Sequence, residues 1–303
     1  MSDPDVTVLI VGYRSARFLP ACLNAIPVAL GDLEAELRFI DNGPDNGSAQ
    51  LVRESCPAAE IIASRGNIGF AAANNLLADG GKGRWLLLLN PDTVPQPGSI
   101  ARLVAAGDGS PEAAILAGPS FSPCGEELPM SRLAFPSLPG FARMIFGRSP
   151  KSDTLDAVSG AFMLVQADVW RALGGMDDSF FLYAEELDFC RRARLAGHAI
   201  RFVDDARVVH DVGSGGKLSP RRALYSLRGA AHFYAKHYSP ARAWSYRLLH
   251  WIAAWARFAP SLVLAPFAAR YRERAHTWRA ACLTPWRWMR GYRPDSADPR
   301  RAG

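Results

Sequence analysis

The stretch Trp85-Leu86-Leu87-Leu88-Leu89, followed at once by Asn90-Pro91-Asp92-Thr93, constrains this chain more than any other. Four consecutive leucines are too few to cross a bilayer and read as a strand buried on both faces, inside an α/β sheet. Pro91 has no N–H to give to a ladder, so the chain leaves the sheet there. Asp92 therefore emerges at the carboxyl edge of a central strand, the edge at which open α/β sheets bind ligands. A carboxylate in that place is positioned to hold a divalent cation against a diphosphate. Taken alone, an Asn-Pro-Asp more often marks an Asp that caps the turn or the next helix.

The surrounding pattern supplies the sheet. Val6–Val11 is a β-branched run closed by Gly12; Ser15 is a candidate cap for a helix that turns Phe18, Leu19, Cys22, Leu23 and Ile26 inward, with Pro20 in its first turn. Leu37–Ile40 reads as a second strand, 49–55 as a helix and Glu60–Ala63 as a third strand, which begins a parallel nucleotide-binding half-sheet. The loop Gly66-Asn67-Ile68-Gly69-Phe70 then opens a helix toward the leucine strand. Its glycines allow close backbone approach and its amides can face an anion, although such glycines also serve ordinary turns. Downstream, a helix is expected over 99–106, strands over 114–117, 158–165 and 199–203, and helices over 167–173 and 187–196. Pro119–Lys151 is rich in Pro, Gly and Ser and reads as a surface excursion.

Two further stretches carry chemistry. Phe180-Phe181-Leu182-Tyr183-Ala184-Glu185-Glu186-Leu187-Asp188 sets three acids in four residues behind an aromatic cluster; such acids can simply complement a helix dipole. Val208-Val209-His210 ends a strand on a histidine and leads into Gly213-Ser214-Gly215-Gly216-Lys217, a loop able to close over a bound ligand.

Taken together, Asp41-Asn42, Gly66-Asn67-Ile68-Gly69-Phe70 with Asn74-Asn75, Asn90-Pro91-Asp92, the Glu185-Glu186 pair and His210 resemble the landmarks of family 2 glycosyltransferases, in particular their bacterial rhamnosyltransferase-like branch. The resemblance covers roughly residues 6–240. It implies a GT-A fold, a Rossmann-like mixed α/β sheet flanked by helices. It also implies an inverting transfer of a sugar, L-rhamnose in this branch, from a nucleoside diphosphate to a saccharide or lipid-linked acceptor in cell-surface polysaccharide synthesis. Residue by residue, it assigns Glu186 as general base; Asp41, Asn67, Gly69, Phe70, Asn74, Asn90 and Gly160 to the donor; Glu185 and Arg228 to acceptor support; and Asp92 and His210 to Mg²⁺ or Mn²⁺. Glu186 stands where the family usually has Asp. After Asp41-Asn42, this chain has Gly43-Pro44-Asp45 where the family has serine and a later acid. These departures are what a non-catalytic nucleotide-sugar-binding or scaffold protein of the same fold would also show. A nucleotidyltransferase is disfavoured because no basic glycine-rich loop follows the first strand.

Composition separates the carboxyl-terminal part. Residues 241–303 hold twelve arginines and no lysine against three acids, a net +9 in a chain of +6, so residues 1–240 are net −3. Six of the eight tryptophans lie in the same tail, whose longest apolar run is far short of the ~20 residues a span needs. Residues 1–240 are thus expected to form the GT-A domain and 241–303 an amphipathic helical appendage broken at Pro260 and Pro266, seated on a membrane surface or packed on the domain or a second copy. The arginines are too scattered for nucleic acid. Five cysteines without a CxxC pair and an acidic start with no apolar leader point to the cytoplasm, at the inner face of the membrane.

Overall fold

The computed structural model describes residues 3–63, 66–137, 140–141, 155–211 and 218–292. Its first half alternates β1 (Val6–Gly12), α1 (Leu19–Leu30), β2 (Ala35–Asp41), α2 (Ser48–Ser55), β3 (Glu60–Ile62), α3 (Phe70–Ala78) and β4 (Trp85–Leu89). Then come β5 (Thr93–Pro95), α4 (Ser99–Asp108), β6 (Ala113–Ala117), β7 (Ser120–Phe121), β8 (Arg132–Leu133), β9 (Ala157–Val158), β10 (Phe162–Gln166), α5 (Ala167–Ala172), α6 (Glu185–Leu195), β11 (Ala199–Phe202) and β12 (Val208–His210). Seven strands form one sheet in the order β11-β6-β10-β4-β1-β2-β3. β1 pairs in parallel with β2 and β4, whereas β10 runs antiparallel between β4 and β6, so the sheet is mixed.

The leucine run explains the layering. All five residues of β4 are buried. Trp85, Leu87 and Leu89 pack with Leu19, Cys22 and Leu103 on one face, while Leu86 and Leu88 meet Ala71, Leu77 and Phe189 on the other. Strand alternation thus feeds two hydrophobic layers from one sequence of like residues. Chain order reverses between β1 and β4, and the crevice outside their carboxyl ends is the expected ligand site. There a second sheet, β5-β12-β7, pairs His210 with Thr93 and so carries the histidine to the Asp92 turn.

Several expected elements shift. The strand read over 158–165 is two, β9 and β10, separated by the turn at Gly160. Ser15 does not cap α1 with its hydroxyl, which lies 3.4 Å from that of Ser48; its carbonyl takes the N–H groups of Phe18 and Leu19. The Pro119–Lys151 excursion contributes β7 and β8 to sheets and buries Ser120 and Ser131; the Ser131 hydroxyl accepts from the Ser120 N–H and donates to the Leu128 carbonyl. Residues 138–139 and 142–151 of that excursion, and the Gly213–Lys217 loop, lie outside the described residues.

Among the described residues, three α-helices follow: α7 (Pro220–His237), α8 (Pro240–Leu264) and α9 (Ala269–Leu283). α8 runs through Pro260 rather than breaking there. Leu227 and Ala231 of α7, Ala254 and Phe258 of α8, and Ala275 and Cys282 of α9 share one core with Trp288. Burying Phe258 alone is worth about 1.5–3 kcal/mol. The tail tryptophans therefore do not act as one surface class. Trp288 is fully buried and donates to the Ala281 carbonyl, and Trp251 donates to that of Cys282. Only Trp244 and Trp286 are among the exposed large hydrophobic side chains.

Candidate active site

A cleft of about 580 Å³ opens outside the carboxyl ends of β1 and β4. Asn90, Pro91 and Asp92 line one part of it, Tyr13, Arg14 and Phe18 from the β1–α1 connection another. Asn67, Gly69 and Phe70 form the entry to α3, and Phe181–Tyr183 with Arg221, Arg222 and Tyr225 close the opposite wall. Arg14 holds a left-handed φ of 53°, a strained conformation of the kind that concentrates at functional loops.

At the β4 exit, Asn90 donates its N–H to Ala161, and its carbonyl accepts from both the N–H and the hydroxyl of Thr93. This turn fixes Asp92 beside His210, with Nε2 3.3 Å from Oδ1. The contact lacks hydrogen-bond alignment, so Asp92 Oδ1 is buried without a donor. A buried carboxylate oxygen with no proton donor and an imidazole nitrogen beside it fit a divalent cation. Among the described residues no group of three or more His, Cys, Asp and Glu assembles, so the remaining ligands would come from substrate oxygens and water, as is usual for Mg²⁺.

The acidic stretch begins on two consecutive residues with left-handed backbone, Tyr183 (φ 70°) and Ala184 (φ 74°). Neither side chain is glycine, so the turn is strained by roughly 1–3 kcal/mol per residue and must be held from outside. It is held from two sides by glycines. A Cβ on Gly69 would stand 2.5 Å from the Phe181 carbonyl oxygen, and one on Gly229 of α7 would stand 2.1 Å from that of Tyr183. Phe70 adds an N–H to the Phe181 carbonyl at 2.9 Å, and the hydroxyl of Tyr292, at the end of the tail, donates to the Leu182 carbonyl at 2.6 Å.

The strained turn launches α6 with Glu185 and Glu186 in its first turn. One oxygen of each, Oε2, is buried without a hydrogen-bond donor. Burial pushes both carboxyls above the ordinary range, and Glu186 adds to the rise at Glu185. Asp188 is the opposite case. It is fully buried, yet accepts from Arg192 Nε (2.8 Å), His237 Nε2 (2.6 Å) and Lys236 Nζ (2.8 Å), and these partners override burial and hold its carboxyl far below the usual range. The acid next to the pair is thus a structural anion tying α6 to α7. Tyr183, whose hydroxyl burial pushes up, feels the charges of Glu185, Glu186 and Asp92 together, which puts both acidic groups in one electrostatic neighbourhood.

The other sequence-assigned residues divide. Asn67, Gly69, Phe70, Asn90 and Asp92 line the cleft. Gly160 lies between Phe70 and Glu186: a Cβ there would be 3.3 Å from the Phe70 ring and 3.7 Å from Glu186 Cβ. Asp41 stands at the end of β2 and accepts from Gly43; burial raises its carboxyl. Glu186 is not itself among the cleft-lining residues. Two assignments fail on placement. Asn74 is buried and returns its amide to the Phe70 carbonyl of its own helix, so it faces packing rather than the donor. Arg228 lies over Tyr292 and gives Nε and Nη2 to the Arg287 carbonyl, anchoring the tail instead of facing the acceptor.

Other residues gain roles. Asn42 is buried and bridges β2 to the α3 entry, donating to Asn67 Oδ1 and the Gly69 carbonyl and accepting from the Ile68 N–H. Asn75, not Asn74, reaches across the fold, exchanging two hydrogen bonds with Met176 ahead of the acidic turn. Both asparagines belong to the quoted landmarks, whereas the cleft positions of Arg14, Arg221 and Arg222 had no sequence signal beyond their charge.

The glycosyltransferase-like family 2 model matches residues 4–230. Among curated relatives, the N-acetylglucosaminyl-diphospho-decaprenol L-rhamnosyltransferase of Mycobacterium tuberculosis is 25% identical over 230 residues, covering 67% of this chain and 75% of that protein. The low-salt glycan biosynthesis hexosyltransferase Agl10 of Haloferax volcanii is 26% identical over 199 residues, covering 63% and 62%. The fold is similar to the mannosyltransferase PcManGT of Pyrobaculum calidifontis, solved with GDP-Man and Mn²⁺, at TM-score 0.60 and 16% identity over 100% of this chain and 85% of that one. It is also similar to TarS of S. aureus solved with UDP, at TM-score 0.54 and 15% identity over 94% and 90%.

Proposed function

The chain belongs to the glycosyltransferase-like family 2, and from that premise we propose that it is an inverting, cation-assisted glycosyltransferase that moves L-rhamnose from a nucleoside diphosphate to a lipid-linked saccharide. The sugar and the lipid-linked acceptor are supported by the named activity of the mycobacterial relative. Work at a membrane surface goes with such an acceptor, and the basic tail supports it.

The observation that carries the chemistry is a pair of buried carboxylate oxygens without a hydrogen-bond donor, Asp92 Oδ1 at the β4 exit and Glu186 Oε2 at the start of α6, on two groups whose charges both act on Tyr183. Asp92 and His210 would hold the cation, which when bound neutralises charge on the leaving diphosphate. Glu186, its basicity raised by burial, takes the proton of the acceptor hydroxyl as that oxygen attacks the anomeric carbon. The bond to the diphosphate breaks on the opposite face, and its electron pair leaves with the diphosphate oxygen, so configuration inverts. Asn67, Gly69, Phe70 and Asn90 frame the donor from the cleft wall, with Asp41 toward the nucleoside and Gly160 toward the sugar. Glu185 supports the acceptor side, and the charge of Glu186 beside it adds to burial in raising its carboxyl.

The test is release of nucleoside diphosphate from a panel of nucleotide sugars that includes L-rhamnose donors, with and without Mn²⁺ or Mg²⁺, for the wild type and Asp92→Asn. The variant is expected to melt as the wild type does and to lose cation-dependent turnover. Unchanged activity and metal titration in Asp92→Asn would remove Asp92 from the site. A wild type that binds donor but turns over none would make the protein a non-catalytic nucleotide-sugar-binding member of the fold.

A further inference from the structure

α8 is amphipathic in the wrong sense for a helix facing water. Its inner face, with Ala243, Tyr246, Ala254 and Phe258, is buried, as expected for a helix packed on a bundle. Its outer face should then be polar. Instead Trp244, Leu248, Ile252, Leu262 and Val263 are 56%, 49%, 43%, 56% and 72% exposed. At 100° per residue, these five positions fall within an arc of about 100°, and at 1.5 Å per residue they span about 28 Å. Phe267, just past the helix end, is 81% exposed and continues the ridge. α8 contains no acidic residue, and α9 behind it exposes Arg270, Arg272, Arg274 and Arg279 against the single acid Glu273.

We propose that this ridge is a docking surface for an anionic lipid bilayer, with α8 lying in the plane of the interface and immersed along its outer face. The inference deepens only the membrane-surface part of the proposed function, by naming the face that binds and its orientation. No helix among the described residues is long and apolar enough to cross a membrane, and α8 needs none of that length, because it meets the lipid sideways. Charge selects the occupant. In a two-fold self-association the same patch meets itself, and α8 carries no acid with which its exposed Arg242 could pair. A headgroup layer carrying phosphates supplies the missing negative charge, and the acyl boundary takes the leucine, isoleucine and valine side chains.

The experiment is flotation of the full chain with phosphatidylcholine vesicles, with or without phosphatidylglycerol. Binding should be strongest with phosphatidylglycerol and weaken, without vanishing, as salt rises or phosphatidylglycerol is left out, since either change removes only the arginine contribution. Leu248→Glu/Ile252→Glu/Val263→Glu should reduce partitioning by at least about tenfold. Val28→Glu, which charges an equally exposed apolar side chain on α1, should leave it unchanged. A triple variant that floats like the wild type, or a wild type that never floats, would overturn the proposal. So would a wild type that sediments as a dimer, made monomeric by the triple variant, without vesicle binding. Should the triple variant melt early, quenching of wild-type fluorescence by brominated lipid decides instead. Trp244→Phe should then remove a large part of the quenched signal, and unchanged quenching would refute the in-plane pose. None of these readouts involves sugar transfer, so they stand or fall apart from the transferase reading.

Discussion

Asp188→Asn separates a structural acid from its catalytic neighbours. Asp188 is 0% exposed and meets three nitrogen donors from two helices: Arg192 on α6, and Lys236 and His237 on α7. Taking one partner from a buried ion cluster typically costs about 3–5 kcal/mol, because the charges left behind stay desolvated. Asn keeps an acceptor for part of the network, and Lys236 is 31% exposed and so partly screened, which favours the lower end. For a chain of this size, about 3 kcal/mol corresponds to a melting-temperature drop of roughly 6–12 °C. The pH dependence follows from the direction of the shift. The folded carboxyl titrates below its unfolded value of about 3.9, so its stabilisation is present above that pH and is lost as pH falls through the lower folded pKa. Asn removes this contribution, so wild type and variant should differ in melting temperature at neutral pH and converge in strong acid. Calorimetry across pH, with donor turnover per folded molecule measured in parallel, provides the assay. A variant that melts with the wild type at neutral pH while losing turnover would refute the assignment and make Asp188 part of the chemistry.

Glu185→Gln should raise stability at neutral pH. Its folded pKa is raised, so the wild-type carboxyl stabilises below the unfolded value of about 4.3 and loses that contribution as pH climbs through the folded value. Calorimetry across pH checks this, and a variant that melts below the wild type at neutral pH would argue against a carboxyl that burial disfavours in its charged form. Gly229→Ala places a methyl 2.1 Å from the Tyr183 carbonyl, so despite the better helix propensity of alanine it should destabilise by about 1–3 kcal/mol and slow turnover. A gain in melting temperature at full activity would show that the strained turn is not held there.

The sheet was legible because its signals are local: a leucine run bounded by Pro91, β-branched residues in β1, and helices at the expected spacing between them. Position was legible where a residue leaves a strand or opens a helix: Asp92 and His210 stand together at the sheet edge, Gly69 opens α3, and the acidic pair opens α6. Asn74 and Arg228 were misassigned because the direction of a helical side chain depends on which neighbour covers that face, and a motif does not encode it. Asn75 and Met176 are distant in sequence, and their pairing exists only after folding. Which tail tryptophans pack and which face outward was not legible, because composition counts tryptophans without locating them. Trp288 supplies core and Trp244 supplies surface. For the same reason, cutting the chain near Pro240 is a poor test of membrane binding, since it also strips the partners of Leu227 and Ala231 and the Tyr292 bond to the acidic turn.

The claim that Glu186, whose Oε2 is buried at the head of α6, is the base is tested most directly by Glu186→Gln, which keeps size and removes only the proton acceptor. Initial rates of nucleoside diphosphate release in the presence of acceptor are measured beside donor affinity. A general base contributes about 10²–10⁴-fold, so kcat should fall by that factor while donor affinity and melting behaviour persist. A Glu186→Gln protein that keeps near-wild-type kcat would contradict the assignment.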